Sequence, residues 1–82
     1  MSKRLGFVGI VVQDRKASHD KVNAVLSGHG DLIVARMGLP DVKGKGSVIT
    51  LVVDATTDEV GDLTGKLGMI KGVQVKSAVG KK

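Results

Sequence analysis

The chain has 82 residues, 13 Lys and Arg against 8 Asp and Glu for a formal net charge of +5, and Phe7 as its single aromatic residue. A chain this short is expected to form one domain over residues 1–82 and to bury only about 60–65% of the surface that its unfolded form exposes, so association is an expected supplement to its stability. The absence of cysteine excludes a disulfide, a thiolate metal site and a cysteine nucleophile, and no apolar run approaches the roughly 20 residues needed to span a bilayer. The expected setting is cytoplasmic, without a membrane.

Lys3-Arg4 ahead of the apolar stretch Leu5 to Val12 imitates a secretory signal, but Gln13-Asp14-Arg15-Lys16 follows at once without a small-x-small cleavage pattern. The segment reads instead as a first strand, about Arg4 to Val12, whose near-continuous apolar run is that of a strand buried on both faces and hence central. A first helix is predicted to begin near Ser18 as N-cap, with Asp20 in its first turn. It carries Val22, Val25 and Leu26 and stops at Gly28-His29-Gly30. The second strand, Leu32 to Met37, holds Arg36 among apolar neighbours and suits a sheet edge. The third, about Ser47 to Val53, is again central.

Thr56-Thr57-Asp58-Glu59 fits a capping box with Thr56 as cap, opening a second helix that carries Val60, Leu63 and Leu67. Asp62 and Lys66 form an acid-before-base pair four residues apart, worth about 0.3 kcal/mol. Gly61 and Gly65 each cost about 1 kcal/mol relative to Ala inside a helix, a cost that close approach to the sheet or to another subunit would offset. The fourth strand, Val73 to Val79, alternates apolar with polar or small residues and suits the other edge.

The same plan is therefore written twice, over Leu5 to Gly38 and Ser47 to Gly80. Each copy has a strand ending in Val-Val and a polar residue, a helix, and a Gly-led second strand. Two βαβ halves predict an α+β fold, a ferredoxin-like βαββαβ sandwich with an antiparallel sheet in the order 4-1-3-2 and two helices on one face. The opposite face then presents Val, Ile or Leu and is too apolar to be left wet, so a homo-oligomer, dimer or tetramer, is expected.

Lys3, Arg4, Lys81 and Lys82 supply most of the net charge from the tails, and the near-neutral body argues against a dedicated nucleic-acid surface. The predicted topology gathers the Gln13 to Ala17, Asp41 to Gly46 and Gly68 to Gly72 loops at one end. There Arg15, Lys16, Lys43, Lys45 and Lys71 outnumber Asp14 and Asp41 beside the start of the first helix, the setting of an anion site or simply of solvated loop lysines. The opposite end collects Asp31, Asp54, Asp58 and Glu59, which suit helix capping, pairing with the basic tails or hard-cation binding. His19 and His29 have no partner at metal-ligand spacing, and His29 suits the end of the first helix. No serine lies in a nucleophile elbow, Gly44-Lys45-Gly46 is a basic loop and not a P-loop, and the central strands lack the stacking aromatics of an RNA-recognition module. No cofactor, metal or enzymatic activity is expected.

Val12-Gln13-Asp14-Arg15, Val22-Asn23, Gly30-Asp31, Ile33 to Pro40, Ser47-Val48-Ile49, Val53 to Gly61 and Leu63 to Gly68 together resemble the iron-only hydrogenase system regulators. The Arg36-Met37-Gly38-Leu39-Pro40 and Val53-Asp54-Ala55-Thr56-Thr57-Asp58-Glu59 segments are the most specific. That family is similar in fold to ACT domains and to the C-terminal domain of nickel-responsive regulators. The chain lacks the metal-binding His and Cys set and the ribbon-helix-helix segment of the latter. The resemblance implies a small non-enzymatic regulatory domain that oligomerises and binds a small anionic or amino-acid-like effector at a subunit interface. Asp14, Arg15 and Ser18 after the first strand, Asn23 on the helix and Arg36 on the second strand are the expected ligand-binding residues. Arg36 is the sharpest of them, because an Arg in an apolar strand needs a carboxylate or phosphate partner or an exit to solvent at an edge. Two other readings stay open: a protein-interaction or assembly module without a small ligand, and weak nucleic-acid binding through the basic tails.

Overall fold

The computed structural model describes residues 2–81, with Arg15 described by its backbone alone. Lys82, counted above with the basic tails, and the Arg15 side chain lie outside the described residues. The elements are β1 (Arg4–Val12), α1 (Arg15–Gly28), a 3₁₀ turn (Gly30–Leu32), β2 (Ile33–Leu39), β3 (Ser47–Ala55), α2 (Thr57–Gly68) and β4 (Val73–Val79). The strands form one antiparallel sheet in the order β2-β3-β1-β4, which is the expected 4-1-3-2 read from the other edge. Each βαβ unit leaves a gap one strand wide between its own strands, and a strand of the other unit fills it.

Strand alternation sorts the residues of the two central strands. Val8, Ile10 and Val12 of β1 and Leu51, Val53 and Ala55 of β3 point toward the helices and are buried. They meet Val22 and Leu26 of α1 and Val60, Leu63 and Leu67 of α2 in one aliphatic core, closed by Leu32 and Val73. Full burial of each Leu, Ile or Val stabilises by about 1.5–3 kcal/mol, and this face carries nearly all of it. The alternate residues Leu5, Phe7, Val11 and Val52 face away from the helices, with Phe7 56% and Val52 41% exposed. The near-continuous apolar runs thus mark strands with one face covered within the chain and an apolar face outside it.

Several boundaries differ from expectation. The first helix starts at Arg15, with Asp14 as its N-cap accepting from the Ala17 N–H at 3.3 Å, and its first turn holds no acid. Ser18 lies inside the helix, 3% exposed, and its hydroxyl donates to the Lys71 carbonyl at 3.2 Å. Asp14 takes the cap because the helix face bearing Ser18 packs on the loop before β4, where a hydroxyl is useful for satisfying a carbonyl. Leu32 closes the 3₁₀ turn and does not open the strand, and β2 runs on to Leu39 after a bulge between Ile33 and Ala35.

The loops at the end where β1 finishes converge as the topology requires. The Gln13 N–H donates to the Gly72 carbonyl at 2.9 Å. Gly46, at φ +126°, brings the β2–β3 loop so close that a Cβ there would stand 2.7 Å from the Val12 carbonyl oxygen. Only glycine fits that position, and it holds the start of β3 against the end of β1.

Gly61 and Gly65 overturn the expectation of close approach to the sheet, since a Cβ at either would meet nothing within 4 Å. Both lie on the solvent side of α2. Gly61→Ala and Gly65→Ala should therefore each stabilise the fold by about 1 kcal/mol, raising the melting temperature by about 4–8 °C. A melting temperature that falls in either variant, measured by circular dichroism, would show that this side of α2 is covered in solution.

Candidate functional site

On α1, His19 and Asn23 stand one turn apart, and the buried Val22 and Leu26 fix the helix so that this pair flanks the β2 edge. Arg36 on β2 pairs in register with the core residue Leu51, so its side chain leaves the sheet on the helix side. At an edge strand it is not trapped in the core. Its guanidinium runs past the core to α1, where Nη2 donates to Asn23 Oδ1 at 2.8 Å. The Asn23 amide is held from its other end too, with Nδ2 3.1 Å from a His19 ring nitrogen that can accept its proton. Asn23 thus orients both neighbours, its oxygen toward a cation and its amide toward an imidazole.

His19 and Asn23 on α1 and Arg36 on β2 stand on the two sides of a cleft of about 230 Å³ between α1 and the β2 edge. Val12, Val22 and Ile49 give it an apolar floor, and Gly38, Leu39 and Pro40 form the far side. Ser47 also lines it, but its hydroxyl donates to the Pro40 carbonyl and is committed. A guanidinium carries five N–H donors, and Arg36 uses one of them on Asn23. Among the described residues no carboxylate lies within ion-pair distance of Arg36. The cleft therefore presents a fork of free donors over an apolar surface.

Of the residues expected to bind a ligand, the structure brings together Asn23 and Arg36. Asp14 and Ser18 stand elsewhere, each with a structural role: the first caps α1 and the second ties α1 to the loop before β4. At the α1 N-terminus the Asp14 carboxylate accepts from the Ala17 N–H, so one of the backbone donors beside the loop cations is engaged within the chain. Arg15 falls outside the described side chains. His19 is the cleft residue that sequence reasoning set aside, having weighed it only as a metal ligand. The signal was its spacing of four from Asn23, which puts the two on one helix face.

The acidic end of the molecule is a wider depression of about 710 Å³ between the end of α1 and α2, whose lining includes His29, Asp31, Asp58, Glu59, Asp62 and Lys66. Its groups are mutually engaged. The Glu59 carboxylate accepts from the Thr56 N–H at 2.8 Å and the Glu59 N–H donates to Thr56 Oγ1 at 3.1 Å, completing the capping box. His29 bridges the helices, with Nδ1 2.8 Å from the Val25 carbonyl and Nε2 2.9 Å from Asp62 Oδ2, and Lys66 Nζ reaches the same oxygen at 3.2 Å. Among the described residues no group of three or more His, Cys, Asp or Glu side chains could hold a metal ion. Nor is any helix among them long and apolar enough to cross a membrane.

The model of the TM1266-like family, described as "iron-only hydrogenase system regulator, putative", matches residues 4–77. The chain belongs to this family. A solved structure of the uncharacterized protein TM1266 from Thermotoga maritima is similar at 38% identity over 96% of this chain and 99% of that one, with a TM-score of 0.89. The crystal structure of the ACT domain from GTP pyrophosphokinase of Chlorobium tepidum shares the fold at 22% identity over 94% of this chain and 100% of that one, with a TM-score of 0.78. A nitrogen regulatory PII-like protein from Thiomonas intermedia K12, bound to ADP, AMP and bicarbonate, shares it at 16% identity over 95% and 91% of the two chains, with a TM-score of 0.54. Among curated proteins none matches this sequence. The family model reaches from the first residue of β1 into β4, so it includes both Asn23 and Arg36.

Two carboxylates at the acidic end make a test of pH dependence. Glu59 is held below the ordinary glutamate value, chiefly by the Thr56 N–H that donates to it. Asp62 is held below the ordinary aspartate value, chiefly by the hydrogen bond from His29 and next by that from Lys66. A carboxylate whose folded-state value is lowered contributes stability that is present above its unfolded value, about 4, and that is lost as the pH falls through the folded value. The melting temperature should therefore fall on the acid side of about pH 4, and Glu59→Gln combined with Asp62→Asn should flatten that limb. An unchanged acid limb in the double variant would assign the titration to other groups.

Proposed function

We propose that this chain is a non-enzymatic regulatory domain of the iron-only hydrogenase system that assembles as a homo-oligomer and binds a small carboxylate effector between α1 and β2. The observation that carries the reading is the Arg36 guanidinium, steadied by Asn23 at the mouth of an apolar cleft with no carboxylate among the described residues to neutralise it. A planar guanidinium with free donors matches a carboxylate in two parallel hydrogen bonds, a geometry that a lysine could not offer. The size of the cleft selects further. At about 230 Å³ it lies below the roughly 300 Å³ where pockets for drug-sized ligands begin, which suits an amino acid or a short organic acid. Val12, Val22 and Ile49 would take the aliphatic part, while His19 and Asn23 would face a polar substituent.

Regulation by such a ligand needs two states that it binds unequally. The cleft supplies the means, because its walls are different elements: a carboxylate held by Arg36 and lodged beside His19 would tie the edge strand to α1. The reading is non-enzymatic because the cleft's hydroxyl, that of Ser47, is bonded to the Pro40 carbonyl and its remaining polar groups are suited to holding an anion. The family membership supports a regulatory role, and the apolar outer face of the sheet supports assembly.

Native mass spectrometry of freshly purified protein reads subunit number and retained ligand together, and calorimetric titration with the amino acids and short mono- and dicarboxylates identifies the effector class. One class should bind, and Arg36→Ala should weaken it by about tenfold or more, equivalent to about 1.4 kcal/mol or more. Asp14→Ala should instead leave affinity in place and lower stability by about 1 kcal/mol through loss of the helix cap. Affinity that survives Arg36→Ala and Asn23→Ala would remove the cleft from the proposal.

A further inference from the structure

The sheet face opposite the helices has a shape as well as an apolar character. Along β1 the outward residues run Leu5, Phe7, Gly9 and Val11, so the chain's only aromatic side chain stands beside a residue with no side chain. Phe7 is 56% and Leu5 67% exposed. Next to them a hollow is lined on this face by Gly9, Val11, Val48, Gln74 and Lys76, and it reaches past the sheet to Ile10, Val75 and Gly68 on the helix side. On β3 the outward residues Val52, Thr50 and Val48 stand opposite Phe7, Gly9 and Val11, and Met37 and Leu39 extend the apolar surface onto β2.

We infer that this face receives a second copy of the chain, packed about a twofold axis that crosses β1 at Val8, so that Phe7 of each copy seats over Gly9 of the other. The inference rests on the homo-oligomer reading above and adds its geometry. In a twofold contact the residue i of one subunit meets j of the other and j meets i, so a face is self-complementary only if its large and small positions exchange under the axis. Rotation about Val8 exchanges Phe7 with Gly9 and Leu5 with Val11, which sets a larger residue against a smaller one in both layers. An axis at Phe7 would drive two phenylalanines together, and an axis at Gly9 would leave a void between two glycines; overfilling and voids both destabilise packed faces. Facing sheets lie about 10 Å apart with interdigitating side chains, which leaves space for one ring opposite a glycine.

The area is sufficient. Four strands about 4.8 Å apart and nine residues at about 3.3 Å give a face of roughly 600 Å² per copy, or about 1,200 Å² in all. That clears the roughly 1,000 Å² expected of a specific interface, with Thr50 among the apolar side chains and Asp54, Gln74 and Lys76 toward the margins of the face. Lys76, beside Gly9 on the edge strand β4, can lay its aliphatic stem along the seated ring and keep its ammonium at the rim.

Sedimentation equilibrium on the full chain and its variants tests the face and the register separately. The wild type should dimerise, and Val52→Lys should yield a folded monomer; a wild type that is monomeric at about 100 μM, or a Val52→Lys protein that still dimerises, overturns the use of this face. Phe7→Ala removes the ring and Gly9→Phe fills its seat, so each should weaken the dimer by about tenfold or more. The double variant Phe7→Ala/Gly9→Phe transposes knob and hollow and should return to within about threefold of the wild type. A double variant no better than the weaker single variant overturns the Val8 axis while leaving the face in use. Gly9→Phe is compatible with the monomer fold, because a Cβ at Gly9 meets only the Lys76 carbonyl oxygen at 3.9 Å. Should that variant fail to fold, the cysteine-free background allows a second measurement with a short bismaleimide. A mixture of Phe7→Cys and Gly9→Cys proteins should then cross-link faster than Phe7→Cys alone, and equal or slower cross-linking of the mixture overturns the register.

Discussion

Two helices can cover only one face of a four-stranded sheet, and the rest of this molecule follows from that constraint. Both helices lie on one face, yet both central strands carry apolar residues on the two faces, the outer set being Leu5, Phe7, Val11, Val48 and Val52 with Gly9, Thr50 and Asp54 among them. One set of those residues makes the aliphatic core with α1 and α2, and the other set is left outside it. A small core offers limited stabilisation against the conformational entropy of ordering the backbone, and anything that binds the folded form adds to its stability by mass action. Assembly and ligand binding, as proposed, would therefore not be extras attached to an already robust scaffold. They would bear on whether the scaffold is populated.

β2 is an edge of the sheet, and that position leaves the Arg36 guanidinium in contact with solvent. In a central strand a guanidinium facing the helices would be buried without water and would require a fixed counter-charge, at a desolvation penalty of several kcal/mol. At the edge it keeps its solvent contact, makes one hydrogen bond to Asn23 and retains donors for a partner from outside. The contrast with Asp62 is instructive. That carboxylate is engaged by His29 and Lys66 together, so its charge is spent on joining α1 to α2 and little of it remains for a ligand. Of the two depressions beside the helices, the smaller cleft holds an Arg36 guanidinium with no ion-pair partner among the described residues over an apolar floor, and the wider one holds charges that answer one another.

Periodicity made the architecture legible before any coordinates. The internal repeat, the alternation in β4 and the capping box at Thr56 each have a local physical cause, and all three reappear in the structure. The start of α1 did not, because Asp14 and Ser18 are both good cap residues and the choice between them depends on the Lys71 carbonyl, 53 residues away from Ser18. The glycines of α2 misled for a related reason. A glycine inside a helix suggests crowding, but at Gly61 and Gly65 the space beside the backbone is open. The site was half legible. Arg36 stood out as a charge in an apolar strand, and Asn23 came with the family resemblance, whereas His19 required knowing which side of α1 turns toward β2. Asp14 and Ser18 were drawn in by their nearness in sequence to the first turn, and tertiary contacts assign them to capping and packing.

β2 connects the two surfaces that matter. Arg36 and Gly38 lie on its cleft side, while Ala35 and Met37, paired with Val52 and Thr50, lie on the outer face. In a strand, successive side chains are fixed on opposite faces of one backbone, so a displacement that tightens Arg36 toward α1 also moves Met37 relative to the sheet's outer surface. The bulge between Ile33 and Ala35 frees the first part of this strand from regular pairing, and its far side carries no neighbouring strand to resist movement. The effector proposed for the cleft and the second copy proposed for the outer face would thus both contact the same short edge strand. By linkage, the factor by which one ligand changes the affinity of its counterpart is the same in both directions. A regulatory domain of this size would need no more machinery than that, because Arg36 of the proposed effector cleft and Met37 of the proposed docking face are neighbours on one strand.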